Sequence, residues 1–421
     1  MKIFMIGIGG IGMSALAQLY VHAGHVVSGS DRAESPTTKL LKEKGILVAV
    51  EQKAENIVND AELIVYSDAV PEDHPERVEG RRLGIRELSY FEALGEVSQG
   101  MNAVAVAGAH GKTTTTAMLV KILKDAGENP TAVIGSLVPE FGSNFVPGGD
   151  LFVVEACEYR DHLLKLSPNV LVIGNLEWDH TDWFKTFGDM QETFRIAIGR
   201  VPEGGAIITN PHDPNIAPLL PSAKAQVVDY TKESVPELQL IGEFNRMNAQ
   251  AAKAAAKYVE PALSEEVIDS SLASFKGTWR RFEKKGETKN GALVYDDYAH
   301  HPTAVRKTLE AVRSHFPKKK IVTAFHPHLY SRTRDLMEEF AQSFGASDEV
   351  IIAPIYAARE EPIPGVTSEV LAEKINQYGG KAVAVAGLDQ ALEKLRSFDA
   401  PETVIITMGA GDIYTLADKL I

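Results

Sequence analysis

Short apolar runs alternate with helix-like stretches along the whole chain. The runs are KIFMIGI, HVVSGSD and ELIVYSD, then AVAVAGA, DLFVVEA, NVLVIGNL and GAIITN, then ALVYDDY, KKIVTAFHP, DEVIIAPI, KAVAVAG and ETVIITMGAGD. Runs of this kind, separated by amphipathic helices, predict βαβ units and parallel sheets. No short-period repeat is present. Two polar stretches each precede a fresh strand pattern: GEVSQGMN near residue 100 and KGTWRRFEKKGETKNG near residues 276–291. The chain of 421 residues is too long for one core. The pattern therefore predicts three α/β domains, at residues 1–99, 100–283 and 284–421.

Two of the predicted strands run into glycine loops. The first is Gly7-x-Gly9-x-x-Gly12, which opens a predicted helix, with Asp31 following after a second strand. This is a dinucleotide-fold fingerprint, which makes the first domain Rossmann-like. Its backbone N–H groups and helix dipole face a diphosphate, and the acidic residue accepts from a ribose hydroxyl. The second is Gly108-Ala109-His110-Gly111-Lys112-Thr113-Thr114. It departs from GxxxxGK[ST] only in the position of its first glycine. Its backbone would cradle phosphates, Lys112 would reach the β and γ oxygens, and Thr113 or Thr114 would bind Mg²⁺. The central domain is thus of P-loop ATPase type. Mg²⁺ wants further oxygen ligands. The next strand ends supply Glu155 and Glu158, then Glu177, Asp179, His180 and Asp182. Ligands of open α/β sheets bind at the carboxyl ends of strands, so these residues are placed to converge on the loop.

Composition narrows the classes. The formal net charge is −14, and PKKKI at 317–321 is the densest basic run. A nucleic-acid partner would call for a basic face. Cys157 is the only cysteine, so an intrachain disulfide and a Cys-rich zinc site are excluded. It reads as a small buried hydrophobe. Lys2 and the apolar run ending near SALAQ have the outline of a secretory signal, but Gly7, Gly9, Gly10 and Gly12 break its apolar core. No apolar run reaches the roughly 18–20 residues of a membrane span. A soluble, cytoplasmic protein is expected.

The ordered motifs resemble the Mur ligase family, ATP-dependent ligases that build the peptide stem of peptidoglycan precursors, over essentially the whole chain. GIGGIGMSALA with GSD resembles the family's UDP-binding start. The resemblance implies that Gly7, Gly9, Gly10, Ile11, Gly12 and Asp31 hold the UDP end of the substrate. VYSDAVPEDHPE adds Ser67 on the uridine side. GAHGKTTTTAM resembles the ATP loop, and EACEY the segment carrying the Mg²⁺ glutamate, hence Glu155. NLEWDHTD resembles the segment whose histidine helps hold a second metal, hence His180. GEFNRMNAQAA implies adenine contacts from Asn245 and Asn248. GTWRRFE implies a nucleotide contact from Arg281, and YDDYAHHPTAV one from Asp297. That segment, FHPHLYSRTRD and IYAAREEPIPG resemble the C-terminal Rossmann-like domain of the family's alanine-adding member. Tyr298, His328 and Arg332 would there face the incoming amino acid and the phosphates, with His328 as a general base. Three departures stand out. Ala109 occupies a usual threonine position and Leu329 a frequent arginine position. With no lysine between Lys185 and Lys224, a carboxylated lysine is not expected.

The implied chemistry is ligation of L-alanine to the carboxylate of UDP-N-acetylmuramate. ATP first converts the carboxylate to an acyl phosphate, which the amine attacks. ATP and one or two Mg²⁺ ions are the implied cofactors, the chain acting as monomer or homodimer. Catalysis would rest on Lys112, Glu155, His180, His328 and Arg332. Three other readings remain open. One is the family's recycling ligase, which joins a preformed tripeptide to the same sugar nucleotide. Another is a nicotinamide-dependent oxidoreductase built on Gly7–Gly12 and Asp31. The third is a non-catalytic ATP-binding switch.

Overall fold

The computed structural model describes residues 1–358 and 360–421; Arg359, within YAAREEPIPG, lies outside the described residues. The strands form three sheets. The first contains β1 (Lys2–Ile6), β2 (Val26–Ser30), β3 (Leu47–Ala49), β4 (Leu63–Tyr66) and β5 (Arg86–Ser89), in the order β3-β2-β1-β4-β5, all parallel. The second contains β6 (Asn102–Ala107), β7 (Thr131–Val138), β8 (Ser143–Val146), β9 (Leu151–Glu155), β10 (Val170–Ile173), β11 (Ala206–Thr209) and β12 (Gln226–Asp229). Its order is β12-β11-β10-β6-β9-β7-β8, with only the β7–β8 pair antiparallel. The third contains β13 (Glu283–Glu287), β14 (Leu293–Asp297), β15 (Lys320–His326), β16 (Glu349–Ile352), β17 (Ala382–Ala384) and β18 (Thr403–Gly409). Its order is β13-β14-β18-β15-β16-β17, with β13 antiparallel to β14.

Central strands such as β6 and β10 are buried along nearly their whole length. Sheets covered on both faces need apolar side chains on both, which is why these strands read as unbroken apolar runs. The two expected joints are more ordered than their polarity implies. Residues Gly95–Ser98 of GEVSQGMN complete the Tyr90–Ser98 helix, which a Ser89–Glu92 capping box starts. The charged stretch near residue 283 contains β13.

The chain divides into two compact units. Unit 1 comprises residues 1–176, 190–236 and 248–273, and unit 2 residues 177–189, 237–247 and 274–421. Unit 1 therefore holds the first two sheets. Inside it the Ile11–His22 helix packs on β7 and β8. Asn144 is fully buried at that seam, and its Nδ2 donates to the Ile11 carbonyl (2.5 Å) and to Ser14 Oγ (3.0 Å). Gln18 Nε2 donates to Asn144 Oδ1 (3.1 Å), and Ser143 Oγ donates to Gln18 Oε1 (2.9 Å). In the same unit, the His162 ring stacks on Phe91 at 3.7 Å between centroids and lies 3.6 Å from an Asp68 oxygen. In unit 2, two apolar layers cover the third sheet, one around Phe325, Phe340 and Phe344, the other around Ile351, Ile405 and Leu416.

Candidate functional site

In the first sheet β1 lies between β2 and β4, so chain connections leave it in both directions and a crevice opens at its carboxyl end. Gly7 follows β1, Asp31 follows β2 and Ser67 follows β4. Gly7 turns the chain with φ +78°, and a Cβ there would lie 3.1 Å from the Ser67 Cβ. The loop consumes most of its own donors. The Gly7 and Ile8 amides donate to the Ser30 carbonyl, the Gly10 amide to the Gly7 carbonyl, and the Gly9 amide to Asp31 Oδ2 at 2.8 Å. The first-turn amides of Ile11, Gly12 and Met13 are the donors that a helix cannot use internally. Of the loop's backbone N–H groups expected to face a diphosphate, those of Ile11, Gly12 and Met13 at the helix start are the ones left over. Asp31 supports the loop through the same carboxylate that was assigned to a ribose.

The second sheet repeats the logic. β6 sits between β10 and β9, and the second glycine loop follows it. Gly108 (φ +130°) and Gly111 (φ +81°) provide the turn, and Gly111 caps the Lys112–Asp125 helix. From the end of β10, Asn175 fixes the loop. Its Oδ1 accepts from the His110 amide and its Nδ2 donates to the His110 carbonyl, both at 2.9 Å, while its own carbonyl accepts from the Ala109 amide at 3.2 Å. From the end of β9, Glu155 Oε2 accepts from Thr113 Oγ1 (2.8 Å) and from the Gly135 amide (2.9 Å). Of the two threonines, Thr113 is the one joined to this carboxylate. Asn248 closes over Gly111, where a Cβ would lie 2.2 Å from its Oδ1.

Lys112 Nζ donates to the Gly108 carbonyl (2.6 Å) and to both oxygens of Glu158 (3.0 and 3.2 Å). Burial by itself would lower the Lys112 pKa. The anionic neighbours, Glu158 first, outweigh it and hold the ammonium above its ordinary value. Glu158 is fully buried. Cys157, next to it, is only half-buried by exposed surface, but burial of the thiol pushes its pKa up to about 12, so it is not a reactive group.

Unit 2 gathers a second set. Asp179 Oδ1 accepts from Arg332 Nε (2.9 Å) and Nη2 (2.7 Å), with both residues buried. Burial alone would raise the Asp179 pKa; Arg332 foremost, with His180, His301 and His300, holds it well below the carboxylate range. Asp179, expected among the metal ligands, is thus the counter-ion of Arg332, and Arg332 is spent on internal partners. Its Nη1 donates to His328 Nδ1 at 2.9 Å. A guanidinium has no acceptor, so Nδ1 is the accepting nitrogen and the ring proton sits on Nε2. In this arrangement the lone pair expected to serve as a general base is engaged by Arg332. His300 has the opposite tautomer: its Nδ1–H donates to the Tyr298 carbonyl (2.9 Å), leaving the lone pair on Nε2. Burial and then Arg332 hold His300 neutral, well below its ordinary pKa.

The other expected residues of unit 2 have definite places. His180 is held by its amide on Asp179 Oδ1 (2.6 Å) at φ +53°. Asn245 Nδ2 donates to the Ile241 carbonyl (2.8 Å). The Arg281 guanidinium lies over the Tyr298 ring at 4.8 Å. Asp297 accepts from the Phe282 and Ala299 amides (2.7 Å each), and burial raises its pKa to about 6. Leu329 is buried with φ +68°.

Family models match in chain order: the Mur ligase family catalytic domain over residues 2–101, the Mur ligase middle domain over 106–236 and the Mur ligase glutamate ligase domain over 280–411. The chain belongs to the Mur ligase family. A UDP-N-acetylmuramate–L-alanine ligase of Salinibacter ruber is 37% identical to this Mur ligase, over 100% of this chain and 94% of the relative. The crystal structure of a UDP-N-acetylmuramate–alanine ligase from Thermotoga maritima superposes with a TM-score of 0.83 at 26% identity, covering 100% of this chain and 98% of that one. A murein peptide ligase from Psychrobacter arcticus reaches a TM-score of 0.75 over 100% and 98% of the two chains; at 24% identity that likeness speaks to the fold alone. Among the described residues, no helix of this Mur ligase is long and apolar enough to cross a membrane. Sequence reasoning left Asn175 and His300 unassigned and offered Glu158 only as one of several oxygen ligands, although each lies within a motif it had singled out.

Proposed function

We propose that this Mur ligase is an ATP-dependent ligase that adds L-alanine to the carboxylate of UDP-N-acetylmuramate in peptidoglycan precursor synthesis. Full-length identity of 37% to a ligase of that name supports the reading, as does the TM-score of 0.83 to a solved one. The structural observation that carries it is the Lys112–Glu158 and Thr113–Glu155 constellation on a phosphate loop, with a second glycine loop in the same unit. The domains at 1–99, 100–283 and 284–421 would take the sugar nucleotide, ATP and the amino acid in turn.

The chemical difficulty is to bring two anions together, a triphosphate and a carboxylate. The first-turn amides of the Lys112–Asp125 helix and the Lys112 ammonium supply positive potential at the phosphates. Asn175 holds the loop so that these donors are fixed before nucleotide arrives, and such preorganisation spares reorganisation during transfer. Hard oxygen donors suit Mg²⁺, and the Thr113 hydroxyl and Glu155 carboxylate form such a pair, so these two residues would hold it. When bound, Mg²⁺ neutralises charge on the phosphoryl oxygens. His328, an N–H donor through Nε2, is suited to orienting an anionic group. His300 Nε2 carries the lone pair suited to accepting a proton from the attacking amine.

The deciding assay is phosphate release from ATP and Mg²⁺ with UDP-N-acetylmuramate, adding either L-alanine or the L-Ala-γ-D-Glu-diaminopimelate tripeptide. Release with L-alanine alone is expected. Release with the tripeptide alone would move the assignment to the recycling ligase, and release with neither would refute both.

A further inference from the structure

Tyr90 has no part in the chemistry above, yet it occupies a particular position. It opens the Tyr90–Ser98 helix, and the hydroxyl end of its ring meets Gly12 in the first turn of the Ile11–His22 helix. A Cβ at Gly12 would lie 2.6 Å from Tyr90 Cζ and 2.7 Å from its Oη. A side chain at position 12 would push that ring from its place. The third glycine of the fingerprint therefore makes room for a phenol. The hydroxyl lies against Gly12, in the helix turn whose Ile11, Gly12 and Met13 amides are the donors the loop leaves over. Among the described residues the Tyr90 hydroxyl makes no hydrogen bond. Burial, followed by the nearby Glu155, Cys157 and Asp68, pushes its pKa up, so it stays protonated and can only add a donor.

We propose that Tyr90 is a substrate-contact residue whose hydroxyl donates to the diphosphate of the sugar nucleotide, alongside the helix-start amides. The inference rests on reading the first glycine loop as the UDP site. A hydrogen bond to a charged oxygen, once lost, weakens binding by about tenfold or more.

Tyr90→Phe tests this, because it keeps the ring on Gly12 and removes only the hydroxyl. Calorimetry with UDP and with UDP-N-acetylmuramate is run beside steady-state phosphate release and thermal unfolding. The expected result is about tenfold or more weaker binding of both ligands and a matching rise in KM for the sugar nucleotide. The KM values for ATP and L-alanine, and the Tm, stay as in wild type. Unchanged affinity for both ligands overturns the proposal, whether or not the Tm moves, since the tyrosine would then be packing alone. If the wild type binds UDP but releases no phosphate, the ligase reading fails, while the calorimetric comparison still decides the role of Tyr90. Failure of the wild type to bind either ligand overturns both the UDP site and the contact.

Discussion

At the scale of single residues, the site is organised by pairs of groups that make each other affordable in a buried place. Lys112 and Glu158 are the clearest case. Removing one partner of a buried ion pair strands the other, at a cost of about 3–5 kcal/mol. Lys112→Met should therefore lower the Tm as well as abolish phosphate release. Adding Glu158→Gln should restore most of the stability and none of the activity, as thermal unfolding and the phosphate assay would show. His300 gives a pH signature. Its folded pKa lies well below the ordinary value, whereas the unfolded imidazole titrates near pH 6.5. Below that pH the unfolded state binds more protons, so stability falls as pH drops and the group contributes nothing above it. By urea unfolding, the wild type should lose about 1.4 kcal/mol more per pH unit below roughly pH 6.5 than His300→Asn does.

At the scale of elements, the chain declares most of its interior strands and conceals most of its edges. Apolar runs mark β1, β2, β4, β6, β9, β10, β11, β14, β15, β16, β17 and β18. The strands they leave out are mostly edges: β3 and β5, β8 and β12, and β13. Edge strands are short and half-solvated, so their composition merges with that of turns. β7 is the interior strand that the runs passed over, and it carries Gly135, an unusual residue for a strand core. A Cβ there would lie 2.1 Å from Glu155 Oε2. The missing side chain makes space for the carboxylate, and the amide then holds it. Gly135→Ala should displace Glu155 and raise the Mg²⁺ concentration needed for half-maximal activity by about tenfold or more, comparable to removing a support of a metal ligand. Circular dichroism and Tm should remain near wild type. The phosphate loops were legible because glycine and lysine spacing is a property of one local segment. The pairings of Glu158 with Lys112, Asn175 with His110 and Arg332 with His328 were not. The first two depend on which strands become neighbours, and the third on how a helix starts after β15.

At the scale of the whole molecule, the first two sheets share one compact unit. The Asn144–Gln18–Ser143 network joins the helix that the first glycine loop opens to the β7–β8 hairpin that supports Glu155. A ligand of the first loop should therefore stabilise the central sheet as well. With UDP-N-acetylmuramate at a hundredfold excess over its Kd, the stabilisation should be about 2.7 kcal/mol. Hydrogen exchange should register it at β6 and β9 amides and not only around β1. In Asn144→Ala the protection should shrink to the first sheet.

The buried carboxylate beside Lys112 also bears on selectivity in a crowded cell. A bare ammonium at the head of a helix would be a trap for any small anion, and free phosphate is abundant. Here the cation already has a companion that no solvent screens. A monovalent or divalent visitor gains little by competing with it, whereas a polyphosphate chain, spread along several amides at once, brings enough attraction to draw the lysine across. Glu158 is thus placed to compete with small anions for Lys112, which would favour a ligand of greater charge and length.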